Sequence, residues 1–124
     1  LATFLAPIFV KKYIMNSLRN KVQLIGRLGG DPEIITFDDG GKIARFNLAV
    51  DDSYKDKEGN KVERTHWHFI VVKNALVKIV ENYIGKGKEI ALEGKLTNRS
   101  WDDKDGNKQY ITEVIANELL MLSN

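Results

Sequence analysis

Between Glu63 and Lys73 the chain runs Glu-Arg-Thr-His-Trp-His-Phe-Ile-Val-Val-Lys. Successive side chains of a strand point to opposite faces, so Trp67, Phe69, Val71 and Lys73 share one face and His66, His68, Ile70 and Val72 the other. Both faces carry bulk. A strand that packs a core on one side and still shows Trp and Phe, ending in Lys, on the other has the make-up of a platform rather than a plain surface. The opposite face offers a second chemistry, since His66-x-His68 sets two imidazoles side by side as candidate metal ligands. The chain has no cysteine to complete such a site, and this face is expected to point inward, so structural histidines are the better reading.

Other chemistry is poorly supplied. The acidic turn Asp102-Asp103-Lys104-Asp105-Gly106 resembles a calcium loop, but with Gly106 sixth the first residue would be Trp101 and the twelfth Thr112, and neither suits. Gly85-Lys86-Gly87-Lys88 follows a helical pattern instead of opening one and lacks the Ser or Thr of a phosphate-binding loop. No nucleophile with a base partner is visible. An enzyme is therefore not expected, nor is a cofactor or a metal.

The chain of 124 residues is long enough for one hydrophobic core. Apolar residues at 43% and charged residues at 29% are ordinary for a globular chain, and the lack of cysteine fits a reducing cytoplasm. Lys11 and Lys12 account for the whole formal charge of +2, so the chain from Met15 onward is neutral. Attraction for an anionic partner must come from local clustering, which weighs against a purely electrostatic duplex binder. Residues 1–14 (LATFLAPIFVKKYI) are apolar around Pro7 but too short to span a bilayer, and no membrane role is expected. They read as an extension left by cloning or translated from upstream, with an arm to a neighbouring subunit as the sharper alternative. The domain proper is expected over 15–124.

The elements that hold the platform follow from periodicity. Lys21 to Leu28 alternates, and Gly26, Gly29, Gly30 and Asp31-Pro32 predict a bend before the strand resumes at Glu33 to Phe37. After the turn Asp38-Asp39-Gly40-Gly41, Lys42 to Val50 forms a second strand with Phe46, Leu48 and Val50 inward and Arg45 and Asn47 outward. Asp51 to Val62 reads as a hairpin arm with Gly59-Asn60 at its tip and Tyr54 where it leaves the body, and it leads into the Trp67 strand. Leu76, Ile79, Val80, Tyr83 and Ile84 then fall on one stripe, predicting about three turns of helix, capped by Asn74 and ended by Gly85. Glu89 to Arg99 returns to alternation, with Ile90, Leu92 and Leu96 inward and Lys95, Thr97 and Arg99 outward, the same parity reaching Trp101. A second arm turns at Asp105-Gly106, and Tyr110 to Ala116 is the last strand. No repeat stands out. This order predicts an all-β fold: a five-stranded OB-fold Greek-key barrel with one α-helix between strands 3 and 4 and long β-hairpin arms.

Several short motifs coincide with that order. Asn20-Lys21-Val22, Gly26-x-Leu28-Gly29-x-Asp31-Pro32-Glu33, Gly40-Gly41, Thr65-x-Trp67-His68, Lys86-Gly87, Glu93-Gly94-x-Leu96, Arg99-x-Trp101-x-Asp103 and Thr112-Glu113-Val114 together resemble the bacterial single-stranded DNA-binding proteins, over roughly 100 residues. The resemblance implies a homotetramer of barrels that wraps single-stranded DNA without sequence preference, in replication, recombination and repair, in the cytoplasm and on the nucleoid. It places Trp67 and Trp101 at two of the family's stacking positions and Tyr54 at a third, usually Trp. A fourth aromatic is replaced here by Lys73. Strand parity suggests that Phe69 takes over some of that stacking while Lys73 offers a phosphate contact. His68 matches a position that lies at a subunit contact in the family.

Every base has a π face, so stacking contributes about 1–3 kcal/mol per base whatever the sequence, and cations hold the phosphates. Lys21, Arg45, Lys73, Lys86, Lys95 and Arg99 are the expected phosphate contacts, because they sit at strand or helix edges rather than at acidic arm tips. Taken alone, Trp67 fits a core or interface tryptophan equally well, and Tyr54 a lone exposed aromatic. Two further readings stay open: a dimeric adaptor similar to primosomal replication proteins, and an interaction module whose aromatics are buried in protein contacts. The family commonly continues into a flexible linker and an acidic tip ending in Asp-x-x-Pro-Phe that recruits repair and replication enzymes. This chain stops at Met121-Leu122-Ser123-Asn124, so recruitment by a tail is not expected from it.

Overall fold

The computed structural model describes residues 18–123, and the expected extension and the start at Met15 lie outside them. The strands are β1 (Val22–Leu28), β2 (Glu33–Thr36), β3 (Lys42–Asp51), β4 (Tyr54–Lys55), β5 (Lys61–Val62), β6 (Thr65–Lys73), β7 (Glu89–Asp102) and β8 (Lys108–Met121), with helix α1 (Leu76–Tyr83) between β6 and β7. The main sheet runs β1-β7-β8-β6-β3-β2, and a further β1–β3 pairing closes it into a ring. One edge of β3 is shared: Lys42–Arg45 pair with β2, while Leu48 and Ala49 pair with β1. β1 and β2 are thus two segments of one bent strand, and the barrel has the five-stranded plan expected. β6 and β8 pair in parallel, the other main-sheet pairs being antiparallel, as a Greek-key closure requires.

Two glycines make the barrel's corners. A Cβ on Gly26 would collide with the Ala49 carbonyl, and one on Gly94 with the Ile115 carbonyl. Close backbone crossings of this kind leave no room for a side chain. Opposite Gly94 the β7–β8 register skips Asn117, since Glu93 pairs with Glu118 and Gly94 with Ala116. The bulge resets side-chain parity, turning Leu119 toward the core and Leu120 outward. The last strand therefore runs to Met121, past the expected end at Ala116, where the alternation in sequence breaks.

The core gathers Leu28, Phe46, Leu48, Ile70, Val72, Ile90, Leu92 and Val114 inside the ring. Helix α1 covers one end with Val77 and Val80, each contributing about 1.5–3 kcal/mol by its burial. Three expectations need correction here. The helix is eight residues, about two turns, with Ala75 and Ile84 as its caps in place of Asn74 and Gly85. Asn74 instead takes a left-handed φ of 61°, turning the chain from strand into helix, and its carbonyl accepts from Val77 N–H at 3.1 Å. The buried stripe includes Val77, whereas Tyr83 lies at its edge and is exposed.

Leu96 has the inward parity expected but is 45% exposed, because β1 ends its pairing with β7 at Val22 and Gly94 and leaves that edge of β7 without a neighbouring strand. The Asn20 side-chain amide covers the strand there, donating to the Leu96 carbonyl and accepting its N–H, both at 3.0 Å.

Candidate nucleic-acid interface

The outward side chains of β3, β6, β8 and β7 form one continuous surface. Arg45 stands opposite Val71, Asn47 opposite Phe69 and Ala49 opposite Trp67. Phe69 is level with Glu113 on β8, which in turn faces Thr97, and Arg99 faces Ile111. Grooves along this surface are lined by Phe69, Arg45, Arg99 and Glu113, and further along by Lys73 and Lys95. Six of the expected site residues thus share one face: Trp67, Phe69, Lys73, Arg45, Lys95 and Arg99. Tyr54 and Trp101 stand on the two arms that extend from it.

The aromatics are open to solvent, Trp67 at 58%, Phe69 at 49%, Tyr54 at 46% and Trp101 at 43%, which leaves none of them as a core residue of this chain. Trp67 lies over Gly29, whose backbone N–H donates to the Asn47 carbonyl at 3.1 Å. A Cβ on Gly29 would come within 2.5 Å of the indole. Since the obstacle is a movable side chain, Gly29→Ala is expected to lift the ring while leaving the fold intact. The measurement is tryptophan emission beside a thermal melt, with a shifted spectrum and a transition displaced by less than about 5 °C as the expected pair of results.

The cations differ in what holds them. Arg99 donates to Glu113 at 2.8 and 3.4 Å, and this carboxylate is 6% exposed, the one buried charged group among the described residues. The hydrogen bond to Glu113 raises the Arg99 pKa. Arg45 pairs with the exposed Glu33 at 3.0 Å, a contact that contributes little. Lys73 and Lys95 make no ion pair among the described residues. Lys21 and Lys86 line neither groove. Lys21 pairs with Glu93 at 3.4 Å on the outer side of β1 and β7. Lys86 lies in the turn after α1, where its N–H donates to Asp31.

Of the two histidines, His66 departs from the inward placement expected and His68 keeps it. His66 is exposed and lies 3.0 Å from Asp52, because β6 begins beyond the barrel rim. His68, half-buried beside Leu48 on β3, is on the opposite face from Trp67.

The arms are one design used twice, contrary to the reading that no repeat exists. Ser53 to Lys61 and Ser100 to Lys108 share the pattern Ser-aromatic-x-Asp-Lys-acid-Gly-Asn-Lys. At each tip the Asp carboxylate accepts two backbone N–H groups: Asp56 from Glu58 and Asn60, Asp103 from Asp105 and Asn107. Gly59 and Gly106 take φ of 85° and 81° to close the turns. The bond from Asn107 N–H, followed by those from Gln109 and Asp105, holds the Asp103 carboxyl below its ordinary value. A lowered carboxyl pKa steadies the folded tip above the ordinary carboxylate range, and that contribution is lost as pH falls through the lowered value. Arg64, placed over Tyr54, was missed from sequence, although the repeated pattern was there to signal paired aromatics.

A further groove, of about 960 Å³, lies away from this face. It is an apolar groove on the outer side of β1, β7 and β8 that includes Ile25, Ala91 and Leu120.

Similarity to known proteins agrees with this geometry. The chain is 47% identical over 104 residues to "Single-stranded DNA-binding protein 1" of Xylella fastidiosa, covering 83% of this chain and 76% of that one. It is 45% identical over 104 residues to the protein of the same name from Chlorobaculum tepidum, covering 83% and 64%. Among solved structures it resembles "Plasmodium falciparum SSB complex with ssDNA", with a TM-score of 0.77 and 33% identity over 84% of this chain and 95% of that one. It also resembles the single-stranded DNA binding protein from Thermus aquaticus, with a TM-score of 0.72 and 30% identity over 85% and 51%. With residues 19–122 matched by the model of the single-strand binding protein family, the chain belongs to that family.

Proposed function

We propose that this chain binds single-stranded DNA without sequence preference and protects it during replication, recombination and repair, as a binding protein and not an enzyme. The observation that carries the reading is the row of half-exposed rings, Trp67 and Phe69 on the barrel and Tyr54 and Trp101 on the arms, along a face that also holds Arg45, Lys73, Lys95 and Arg99. Rings take bases of any sequence, and cations take phosphates. Lys73 and Lys95 meet phosphates directly, and Arg45 exchanges the exposed Glu33 for a phosphate, whereas Arg99 stays on the buried Glu113 and adds its charge to the face from there. Lys21, on the outer side of β1 and β7, serves DNA that continues around the barrel, and Lys86, in the turn bonded to Asp31 at the groove's rim, serves a strand leaving the groove.

Assembly follows from the other side. The apolar outer groove with Ile25 and Leu120 suits a second copy of the chain, and His68 is assigned to subunit contact within a homotetramer. No helix among the described residues is long and apolar enough to cross a membrane, and the place of action proposed is the cytoplasm, on the nucleoid.

The test is a titration of intrinsic tryptophan fluorescence with oligo(dT), at low and high salt and beside duplex of equal length, on protein whose mass is read by light scattering. Saturating quenching by single strands with little response to duplex, at a mass of about four chains, is expected. Unquenched fluorescence at low salt would move the protein to the interaction-module class.

A further inference from the structure

Each arm carries the same three-part arrangement. Arg64 lies 5.0 Å from the Tyr54 ring centroid, with its guanidinium 3.9 Å from Asp52 and 3.5 Å from the Tyr54 hydroxyl. Arg99 lies 5.0 Å from the Trp101 ring centroid, with its guanidinium bonded to Glu113. The repeated pattern does not account for the likeness, because Arg64 follows its hairpin in sequence and Arg99 precedes its own. Carboxylate, guanidinium and ring are thus brought together by two different routes.

A guanidinium over a ring is attracted to the negative π face and closes that face to other partners. The carboxylate behind it opposes transfer of the arginine to a phosphate. Asp52 is itself fixed, since its N–H donates to the Arg64 carbonyl at 2.8 Å and its carboxylate meets His66 at 3.0 Å. Both residues stay nearly half exposed with the arginine in place, Tyr54 at 46% and Trp101 at 43%.

We propose that Arg64 is a positioning residue for base stacking: it occupies one face of Tyr54 and fixes the ring so that a single base stacks on the other, as Arg99 does for Trp101. The proposal rests on the single-strand-binding reading. It gives Arg64 a role separate from phosphate contact, and it explains how tyrosine, with a smaller π surface than tryptophan, still serves as a platform.

The experiment compares wild type, Arg64→Ala, Tyr54→Ala, the double variant and Trp67→Ala for oligo(dT) affinity across a salt series. Arg64→Ala is expected to bind about threefold more weakly, in line with the strength of an exposed cation–π contact. The slope of log K against log salt should match wild type, and the double variant should bind no more weakly than Tyr54→Ala. Unchanged affinity in Arg64→Ala would overturn the proposal, as would a slope shallower by about 0.7, the signature of one lost phosphate contact. Trp67→Ala separates the layers. If it weakens binding while Arg64→Ala does not, only this proposal fails; if neither matters, the reading of the whole face fails with it.

Discussion

Trp67→Ala is expected to weaken binding of single-stranded oligo(dT) by about 10- to 100-fold. The estimate follows from about 1–3 kcal/mol for one stacked base, at 1.4 kcal/mol per factor of ten. Trp67 shares its strand face with Phe69, near the base of the first arm, with its ring lying on Gly29 and more than half of its surface open. Little of the core depends on it, so the melting transition should stay within about 5 °C of wild type. Trp67→Phe, which keeps a smaller π face, should recover most of the affinity. A loss below threefold in Trp67→Ala, with folding intact, would take this tryptophan out of the interface.

The largest effect on stability is expected at Gly94. A Cβ there would strike the Ile115 carbonyl oxygen and lie 2.9 Å from its carbon and 3.0 Å from the Ala116 Cα. All three obstacles are backbone, held in place by the parallel pairing of β8 with β6, and none can rotate aside. Gly94→Ala should therefore cost about 2–4 kcal/mol, within the range for overpacking and backbone strain in a core. In a chain of this size that lowers the melting temperature by roughly 10 °C or more. Gly29→Ala is the internal control, since its obstacle is the end of a side chain. A Gly94→Ala melt within about 2 °C of wild type would show that the crossing has slack.

Strand order, the bend at Gly29-Gly30, the faces of β3 and β6 and the grouping of Trp67 with Phe69 and Lys73 were legible in the sequence, because period-2 alternation fixes which side chains share a face. What lay beyond it has particular causes. The Asn117 bulge breaks alternation, so the end of β8 could not be followed past Ala116. Leu96 and His66 carry inward parity but are exposed near the ends of their strand pairings, and parity does not report where a core ends. Asn74 resembles a helix cap in composition, but the turn out of β6 takes its backbone instead of its side chain. Lys21 has the residue type of a phosphate contact, yet only the closure of the ring decides on which side of the barrel a strand edge falls. Arg64 over Tyr54 joins residues at opposite ends of a hairpin, a pairing set by the turn between them.

The arms also bear on how such a chain tolerates insertions. Trp101 faces the groove because the parity of Lys95, Thr97 and Arg99 is carried unbroken along β7, with Trp101 paired to Gln109. One residue added to each strand between the barrel and Trp101 would turn the indole to the back of the arm, and a second would bring it round again. Reach is therefore quantised: the arm can grow or shrink by pairs of residues per strand, while its tip, which needs only the Asp-x-x-Gly-Asn turn, can be carried out to any permitted length.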